Sequence, residues 1–435
     1  MDEINRLRDL YVGVWNAADP AGPPDGRVYD SAEHDRNEAE LQKFVTVLTA
    51  EARRAQRGGA SEASERHVMA AFARFAIDAL DWKRDWLEGE VSTGFREALR
   101  VFPVRARQFD PTLSSAEIYQ AARNALTMHC LQALLGLRVE FTRAVLAYSL
   151  LYPYTDNLLD DPDLEASRKL AFGERLGRRL RGIPVEPVGE CETRIFELVA
   201  MIEDQFPRAQ FAPLFDSLIA IHDAQMKSLA LLSVSPAADP GMLVRIAVEK
   251  GGTSVLADGY LVAGTLTPAQ AECIFGLGVF LQLRDDLEDV EDDAARGVRT
   301  VFSSRTHGHL DEPASRAIAV AQAVLDRLSC FDRPSSAPIR DVMARSLRLT
   351  ITDAAASFPS LFGRRFLQAL ERRSPFRLTS ITAARRRVSK AKGTLTALLE
   401  RWLEEETDGG RSRALRADYR TPSARWPFAS ASSSR

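Results

Sequence analysis

Residues 144–161 read AVLAYSLLYPYTDNLLDD, an apolar helical stretch that ends in a cluster of carboxylates. The cluster contains Asp156, Asp160 and Asp161, with Asn157 among them. Residues three and four positions apart share one face of a helix, so Asp156 and Asp160 are neighbours whose like charges destabilise an isolated helix. Solvation of a helix end or a bound divalent cation would each relieve this repulsion. Mg²⁺ takes oxygen ligands and is usually bound through one or two carboxylates and a substrate phosphate.

A second acidic cluster, RDDLEDVEDD at residues 284–293, follows the apolar segment IFGLGVFLQL. Asp285 and Asp286 lie four and three positions before Asp289, so each shares a helical face with it. Two further aspartates extend this face by another turn. A single cluster is usually a solvated helix end, but two helices that each change abruptly from apolar to acidic predict facing walls of a cavity. The acids would lie at the mouth of that cavity.

The remaining sequence predicts an all-α protein, because helical periodicity dominates and strand patterns are scarce. Ser114 or Ser115, followed by Glu117, is a start signal for one helix. We divide the chain of 435 residues into an N-terminal helical region at 1–110, a helical domain at 111–405 and a disordered Gly/Ser/Arg-rich tail at 406–435. Other helices are predicted over residues 4–15, 36–56, 63–88, 141–160, 190–205, 212–233, 240–265, 268–293, 312–330, 336–357, 362–373 and 380–405.

Composition and charge exclude several classes of protein. The formal net charge of −3 provides no general attraction to nucleic acid. The four cysteines are isolated, which argues against a disulfide framework and favours a reducing, cytoplasmic compartment. No apolar run approaches the ~20 residues that span a bilayer. The strongly basic stretch 362–392 is typical of a solvated helix face, and the alternatives are peripheral contact with anionic lipid or attraction to the acidic mouth of the cavity.

The two acidic motifs resemble those of the class I isoprenoid synthases. DNLLD at 156–160 is similar to their first motif in its Asp-x-x-x-Asp form. DDLED at 285–289 is similar to the second motif of trans-prenyltransferases, and RDDLED also resembles that of squalene and phytoene synthases. The overall pattern is most similar to the large bacterial terpene synthases. The resemblance implies an all-α, class I isoprenoid synthase-like helical bundle around a central cavity.

The resemblance also implies a chemistry and a set of site residues. A prenyl diphosphate would be bound through Mg²⁺ and would ionise with release of diphosphate, giving a terpene hydrocarbon or alcohol. The catalytic residues would be Asp156, Asp160, Asp285, Asp289 and Lys250. The metal ligands would be Asp156, Asp160, Asp161, Asp285, Asp286 and Asp289, and the substrate contacts would be Asn157, Lys250, Thr253, Ser254, Tyr152 and Arg296.

The segment VRIAVEKGGTSVLADGYLVAG at 244–264 contains two adjacent glycines, which cost on the order of 1 kcal/mol each within a helix. We expect a break there beside the diphosphate, as in terpene synthases, or a kink where two helices pack closely. The cation formed by ionisation needs an apolar, aromatic pocket that excludes water. Candidates for its wall are Tyr148, Tyr152, Tyr260 and Phe280, and ordinary core packing is the alternative for each.

Three alternatives remain open. A prenyltransferase would couple two diphosphates, but the paired arginines that follow the first motif in chain-elongating enzymes are absent; only Arg168 and Lys169 follow, after Pro162. A non-catalytic helical scaffold would not need intact carboxylates on both helices. Finally, His129, His222, Asp223 and Asp285 could imitate the metal set of helical phosphohydrolases.

Overall fold

The computed structural model describes residues 2–20, 26–57, 62–160, 164–231, 239–304 and 310–391. Within these ranges the regular structure is helical, apart from turns and bends, which confirms the all-α fold class. The α-helices are α1 (Asp2–Ala17), α2 (Ser31–Gln56), α3 (Glu62–Leu80), α4 (Arg84–Glu88), α5 (Glu90–Phe109), α6 (Ser115–Leu134), α7 (Arg143–Asp160), α8 (Ala166–Leu180), α9 (Gly189–Gln205), α10 (Ala212–Leu231), α11 (Pro240–Ala263), α12 (Pro268–Glu288), α13 (Val290–Arg296), α14 (Asp311–Arg327), α15 (Ala337–Ser357), α16 (Arg364–Glu371) and α17 (Leu378–Lys390).

Most predicted helices are found within a few residues of their expected bounds, but two were missed. In α5, Pro103 lies inside the helix and obscured its pattern. In α8, Phe172, Leu176 and Leu180 are buried at a spacing of four, a pattern that is visible in the sequence. The tail at 406–435 lies outside the described residues, and the division of the chain at residue 110 stays a prediction.

The expected continuous helix over 268–293 is divided at Asp289, which ends α12 and begins α13. The backbone N–H of Asp289 still donates to the Asp285 carbonyl at 2.9 Å, and that of Asp293 donates to the Asp289 carbonyl at 2.7 Å. Asp293 therefore remains one turn beyond Asp289 despite the division.

Start signals read from the sequence are confirmed. Ser114 caps α6, and its hydroxyl accepts a hydrogen bond from the backbone N–H of Glu117 while the Glu117 side chain accepts one from the Ser114 backbone. This reciprocal arrangement satisfies two backbone donors that a helix end leaves without partners.

The four cysteines are free in the structure.

Helix α11 is the centre of the molecule and packs against α1, α6, α7, α10 and α12. The expected break at its two glycines is wrong, because α11 is continuous from Pro240 to Ala263. A Cβ added to Gly251 would lie 2.5 Å from the carbonyl oxygen of Gly278 in α12, and one added to Gly252 would lie 2.3 Å from the ring of Phe275. The glycines thus allow the backbones of α11 and α12 to approach closely. Close packing of two helices was the alternative to a break in the sequence analysis.

Helix α1 packs on the same core although it is distant in sequence. Tyr11 is fully buried, stacks on Phe275 at 6.0 Å between ring centroids and donates to the carbonyl of Glu272 at 2.9 Å. A smaller aromatic cluster joins α2, α3 and the segment before α17, where Phe44 and Phe376 contact Phe75. Among the described residues, no helix is long and apolar enough to span a membrane.

We predict that Gly278→Ala lowers the free energy of unfolding by about 2–3 kcal/mol, because its Cβ would lie 2.2 Å from the carbonyl oxygen of Gly251 and force the helices apart. The matched control is Gly13→Ala in α1, where nothing lies within 4 Å of the added Cβ. This control should stabilise the protein by about 0.5–1 kcal/mol. Urea denaturation measures both, and equal effects would contradict the packing role of Gly278.

Candidate active site

The first acidic motif lies at the end of α7. Asp156 is partly exposed and accepts a hydrogen bond from the Gln225 side chain of α10 at 3.4 Å. Asn157 lies on a different, exposed face and donates to Glu117 of α6 at 3.4 Å. The Asp160 side chain and all of Asp161 lie outside the described residues, so their proposed roles as metal ligands stay predictions.

The second motif lies where α12 ends. Asp286 is 8% exposed, and burial raises its pKa to about 7 although the Gln282 amide donates to it at 2.7 Å. Burial also raises the pKa of Asp293 to about 6, and it raises the pKa values of Asp285 and Asp289. Four carboxyl groups on two successive helical segments are therefore poorly stabilised as anions.

The two motifs meet around Tyr152, whose side chain is 45% exposed. Asp156 raises the pKa of the Tyr152 phenol through its charge and through a hydrogen bond, and the charge of Asp285 raises it further. Arg123 of α6 lies 3.7 Å from Asp285 and lowers the pKa of the same phenol. The structure thus brings residues from α6, α7 and α12 together at one place.

Two of the cations named from the sequence are beside the second motif. Lys250 lowers the pKa values of Asp286 and Asp293 through its charge, and Arg296 lowers those of Asp289 and Asp293. Both cations therefore lie near these carboxylates. An anionic ligand bound at the carboxylates would also be near both cations. Arg385 of α17 adds a further positive charge, because it lies 3.0 Å from Glu288.

Thr253 and Ser254 are placed differently. The Thr253 hydroxyl is completely buried and donates to the Glu249 carbonyl of its own helix at 2.6 Å. Ser254 is partly exposed, and its carbonyl accepts a hydrogen bond from Tyr148 at 3.3 Å. The proposed contact of the Thr253 hydroxyl with substrate would require this local hydrogen bond to break.

The aromatic residues predicted to line the cavity also differ in how far they are exposed. Phe280 is fully buried, and Tyr260 is 4% exposed and donates to Glu3 of α1 at 3.2 Å. Tyr148 is 7% exposed, whereas the Tyr152 ring reaches the surface beside the acids. Core packing accounts for the first three, and Tyr152 is the one whose ring is accessible beside the acids.

The donor chemistry of the motifs fits Mg²⁺, although no group of three or more potential ligands is close enough to hold a metal within the ranges that the structure describes. Mg²⁺ usually retains several waters and takes only one or two carboxylates together with substrate phosphate. Carboxylates whose pKa values are raised by burial gain from a nearby cation, since it favours their ionised form. The ligand set named from the sequence is thus chemically suitable but stays a prediction.

Sequence reasoning missed several polar groups near the motifs. A lone arginine such as Arg123 has no pattern that separates it from a surface residue. Asp258 of α11 was visible as one acid in an apolar segment: it is completely buried, its Oδ2 has no hydrogen-bond partner among the described residues, and burial raises its pKa well above the usual value. Asn124 donates to its other oxygen at 3.2 Å, which ties α6 to α11.

The phosphohydrolase-like set does not assemble among the described residues. His129 is completely buried, with its Nδ1 hydrogen-bonded to Gln132 at 2.9 Å. Asp223 is paired with Arg181 at 2.9 Å. These contacts leave neither residue arranged as a metal ligand with Asp285.

We predict that Asp286→Asn stabilises the protein at pH 8 but not at pH 4. The folded state holds the Asp286 proton up to about pH 7, whereas the unfolded chain loses it near pH 4, so this carboxyl costs stability as the pH rises between these values. The gain should be on the order of 2–4 kcal/mol at pH 8, measured by urea denaturation in EDTA.

The control for this measurement is Glu291→Gln, which removes an exposed carboxyl from α13. We expect it to change the free energy of unfolding by less than about 0.5 kcal/mol at either pH. A pH-independent effect of Asp286→Asn would contradict the assignment of the buried proton.

Comparison with known proteins gives two structural likenesses. A geranyltransferase from Legionella pneumophila is 14% identical, with a TM-score of 0.35, over 60% of this chain and 99% of that chain. A single-site variant of cucumene synthase is 15% identical, with a TM-score of 0.32, over 67% of this chain and 95% of that chain. No protein-family profile and no curated protein matches the sequence. Because both TM-scores are below 0.5, these likenesses do not indicate the function of the chain.

Proposed function

We propose that the protein ionises a linear prenyl diphosphate in a Mg²⁺-dependent reaction and releases diphosphate, as a terpene synthase. The observation that carries this proposal is that α6 contacts both motifs, through Arg123 at 3.7 Å from Asp285 and Glu117 at 3.4 Å from Asn157, while Asp156 and Asp285 both act on Tyr152 through their charge. Acidic residues from two separate helices, bordered by Lys250, Arg123 and Arg296, suit a metal-bound diphosphate, which carries several negative charges.

In this proposal the chain's own residues position and stabilise the leaving group. Asp156 and Asp285, with Asp160, Asp161, Asp286 and Asp289, would hold Mg²⁺, which supplies positive charge to the departing diphosphate. Lys250 and Arg296 would donate charge-assisted hydrogen bonds to diphosphate oxygens. The Tyr152 phenol, kept protonated by the neighbouring carboxylates, would orient Asp156 and present its ring to the allylic part of the substrate.

A coupling prenyltransferase is the second candidate, and it needs fixed positive charge for a second diphosphate. Helix α8 follows the first motif and carries several arginines, but carboxylates pair two of them closely. Arg175 is hydrogen-bonded to Glu192 at 2.9 Å, and Arg179 to Glu203 at 2.7 Å. This pairing favours a single diphosphate substrate. A helical scaffold without catalysis is less well supported, because buried carboxylates of raised pKa cost stability without a function.

We predict that Asp285→Asn and Asp289→Asn each lower kcat on the order of 10²-fold or more, because each removes a carboxylate that would hold the metal. Activity is measured as diphosphate release from a series of linear prenyl diphosphates with Mg²⁺. Glu291→Gln is the matched control and should retain wild-type activity, and circular dichroism confirms that each variant is folded. Wild-type activity of both aspartate variants would sink the metal assignment.

We also predict turnover of one allylic diphosphate without added isopentenyl diphosphate, giving a hydrocarbon or an alcohol. The physical reason is that Arg175 and Arg179, two of the four arginines of α8, are already paired with carboxylates and are less available to anchor a second diphosphate. Mass spectrometry of the product tests this. Product that forms only with isopentenyl diphosphate, and grows by isoprene units, would replace the synthase by the coupling enzyme.

A further inference from the structure

A cleft of about 210 Å³ lies away from both acidic motifs, between the segment at 26–29, the loop at 81–83, helix α15 and the residues that follow α16. Its lining combines apolar residues with four arginines, two aromatic residues and one carboxylate. The charged and aromatic residues are Arg27, Arg345, Arg348, Arg373, Tyr29 and Trp82, with Asp81. The cleft therefore brings four positive side chains from separate segments into one lining.

Two of the four arginines are paired with carboxylates. Arg27 lies 2.6 Å from Asp81 and also pairs with Glu33. Arg345 lies 3.7 Å from Asp81 and 3.3 Å from Asp341. Asp81 has φ +56°, a left-handed conformation that aspartate adopts more readily than most residues. This backbone conformation places its carboxylate between the two guanidinium groups, which it orients and neutralises.

The other two arginines have no carboxylate within 4 Å among the residues that the structure describes. Arg348 donates to the Gln322 side chain and lies against the backbone of Gly26, where an added Cβ would be 3.2 Å from Nη1. Arg373 donates to the Ala369 carbonyl at 3.5 Å, and its buried Nε has no hydrogen-bond partner within the described part of the chain. The cleft thus retains two arginines whose positive charge is not offset by a carboxylate among the described residues.

The aromatic side of the cleft presents another such donor. The Nε1 of Trp82 is buried and has no hydrogen-bond partner in the described ranges. Its ring is held edge-on against Trp86, at 4.8 Å between centroids, and against Phe72, at 5.8 Å. Opposite it in the lining, the ring of Tyr29 lies under the Arg27 guanidinium at 4.7 Å. These contacts hold both walls in place without a ligand.

We propose that this cleft binds a soluble phosphorylated small molecule, with its phosphate between Arg348 and Arg373. Guanidinium groups match phosphate oxygens in geometry as well as in charge, and each can donate two parallel hydrogen bonds. Arg348 and Arg373 would supply the hydrogen bonds to the phosphate, and Tyr29 would contact the remainder of the molecule. The proposal does not depend on the chemistry at the acidic motifs.

Isothermal titration of the full chain in EDTA, with inorganic phosphate and with inorganic diphosphate, tests the proposal. We expect both anions to bind. Arg348→Gln and Arg373→Gln should each weaken binding by about tenfold or more, because each removes charged hydrogen bonds. The matched control is Arg365→Gln, which removes the same charge from an exposed position on α16 outside the cleft and should leave the affinity unchanged.

Two further variants make the outcome decisive. Arg348→Lys retains the charge but lacks the planar guanidinium group, so it should lose less affinity than Arg348→Gln. If Arg348→Gln does not fold, Arg348→Lys and Arg373→Gln together still test the proposal. Asp285→Asn in the acidic motif should bind both anions as the wild type does, which separates this cleft from the proposed catalytic site. Unchanged affinity in the cleft variants, loss of binding in Asp285→Asn alone, or no binding at millimolar anion would each overturn the proposal.

Discussion

The backbone contact between Gly251 and Gly278 sets the distance between the two central helices, and much of the candidate site follows from it. A Cβ on Gly251 would also lie 2.5 Å from the Cβ of Gln282, whose amide donates to Asp286. Lys250, the residue before Gly251 in α11, also lies near Asp286 and favours its ionised form through its charge. The close approach of α11 and α12 thus aligns a lysine of one helix with the acids of the other.

The acids that this packing brings together are costly to the fold. Burial raises the pKa values of Asp285, Asp286 and Asp289, so their ionised forms are favoured less than in water. Arg123 and Arg296 offset only part of this cost through their charge. Groups arranged in this way are typical of sites where a bound cation or substrate completes the electrostatics.

Helix α17 connects the acidic site to the N-terminal helices. At its start, Arg377 pairs with Glu38 of α2 at 2.9 Å. Further along, Arg385 pairs with Asp353 of α15 and lies 3.0 Å from Glu288, next to the second motif. The basic stretch seen in the sequence is therefore, in part, a set of internal ion pairs and not only a solvated face. Of these two arginines, Arg377 pairs with an acid that lies hundreds of residues earlier in the sequence.

Local patterns determined a large part of this protein. The apolar periodicity, the cap at Ser114, and the change from apolar to acidic at the ends of α7 and α12 depend on neighbours in sequence, so most helices and both acidic motifs were predictable. Helix α8 was missed although the spacing of its buried residues is visible in the sequence.

Tertiary structure decided which distant groups meet. The continuity of α11 through its glycines, the placement of Arg123 beside Asp285 and the burial of Asp258 depend on which helix packs on which. The arginine-lined cleft is likewise assembled from segments hundreds of residues apart. A sequence determines the periodicity and charge of each helix through local geometry, but burial and charge pairing between distant helices arise only when the chain packs, and these long-range contacts define the chemistry of the site.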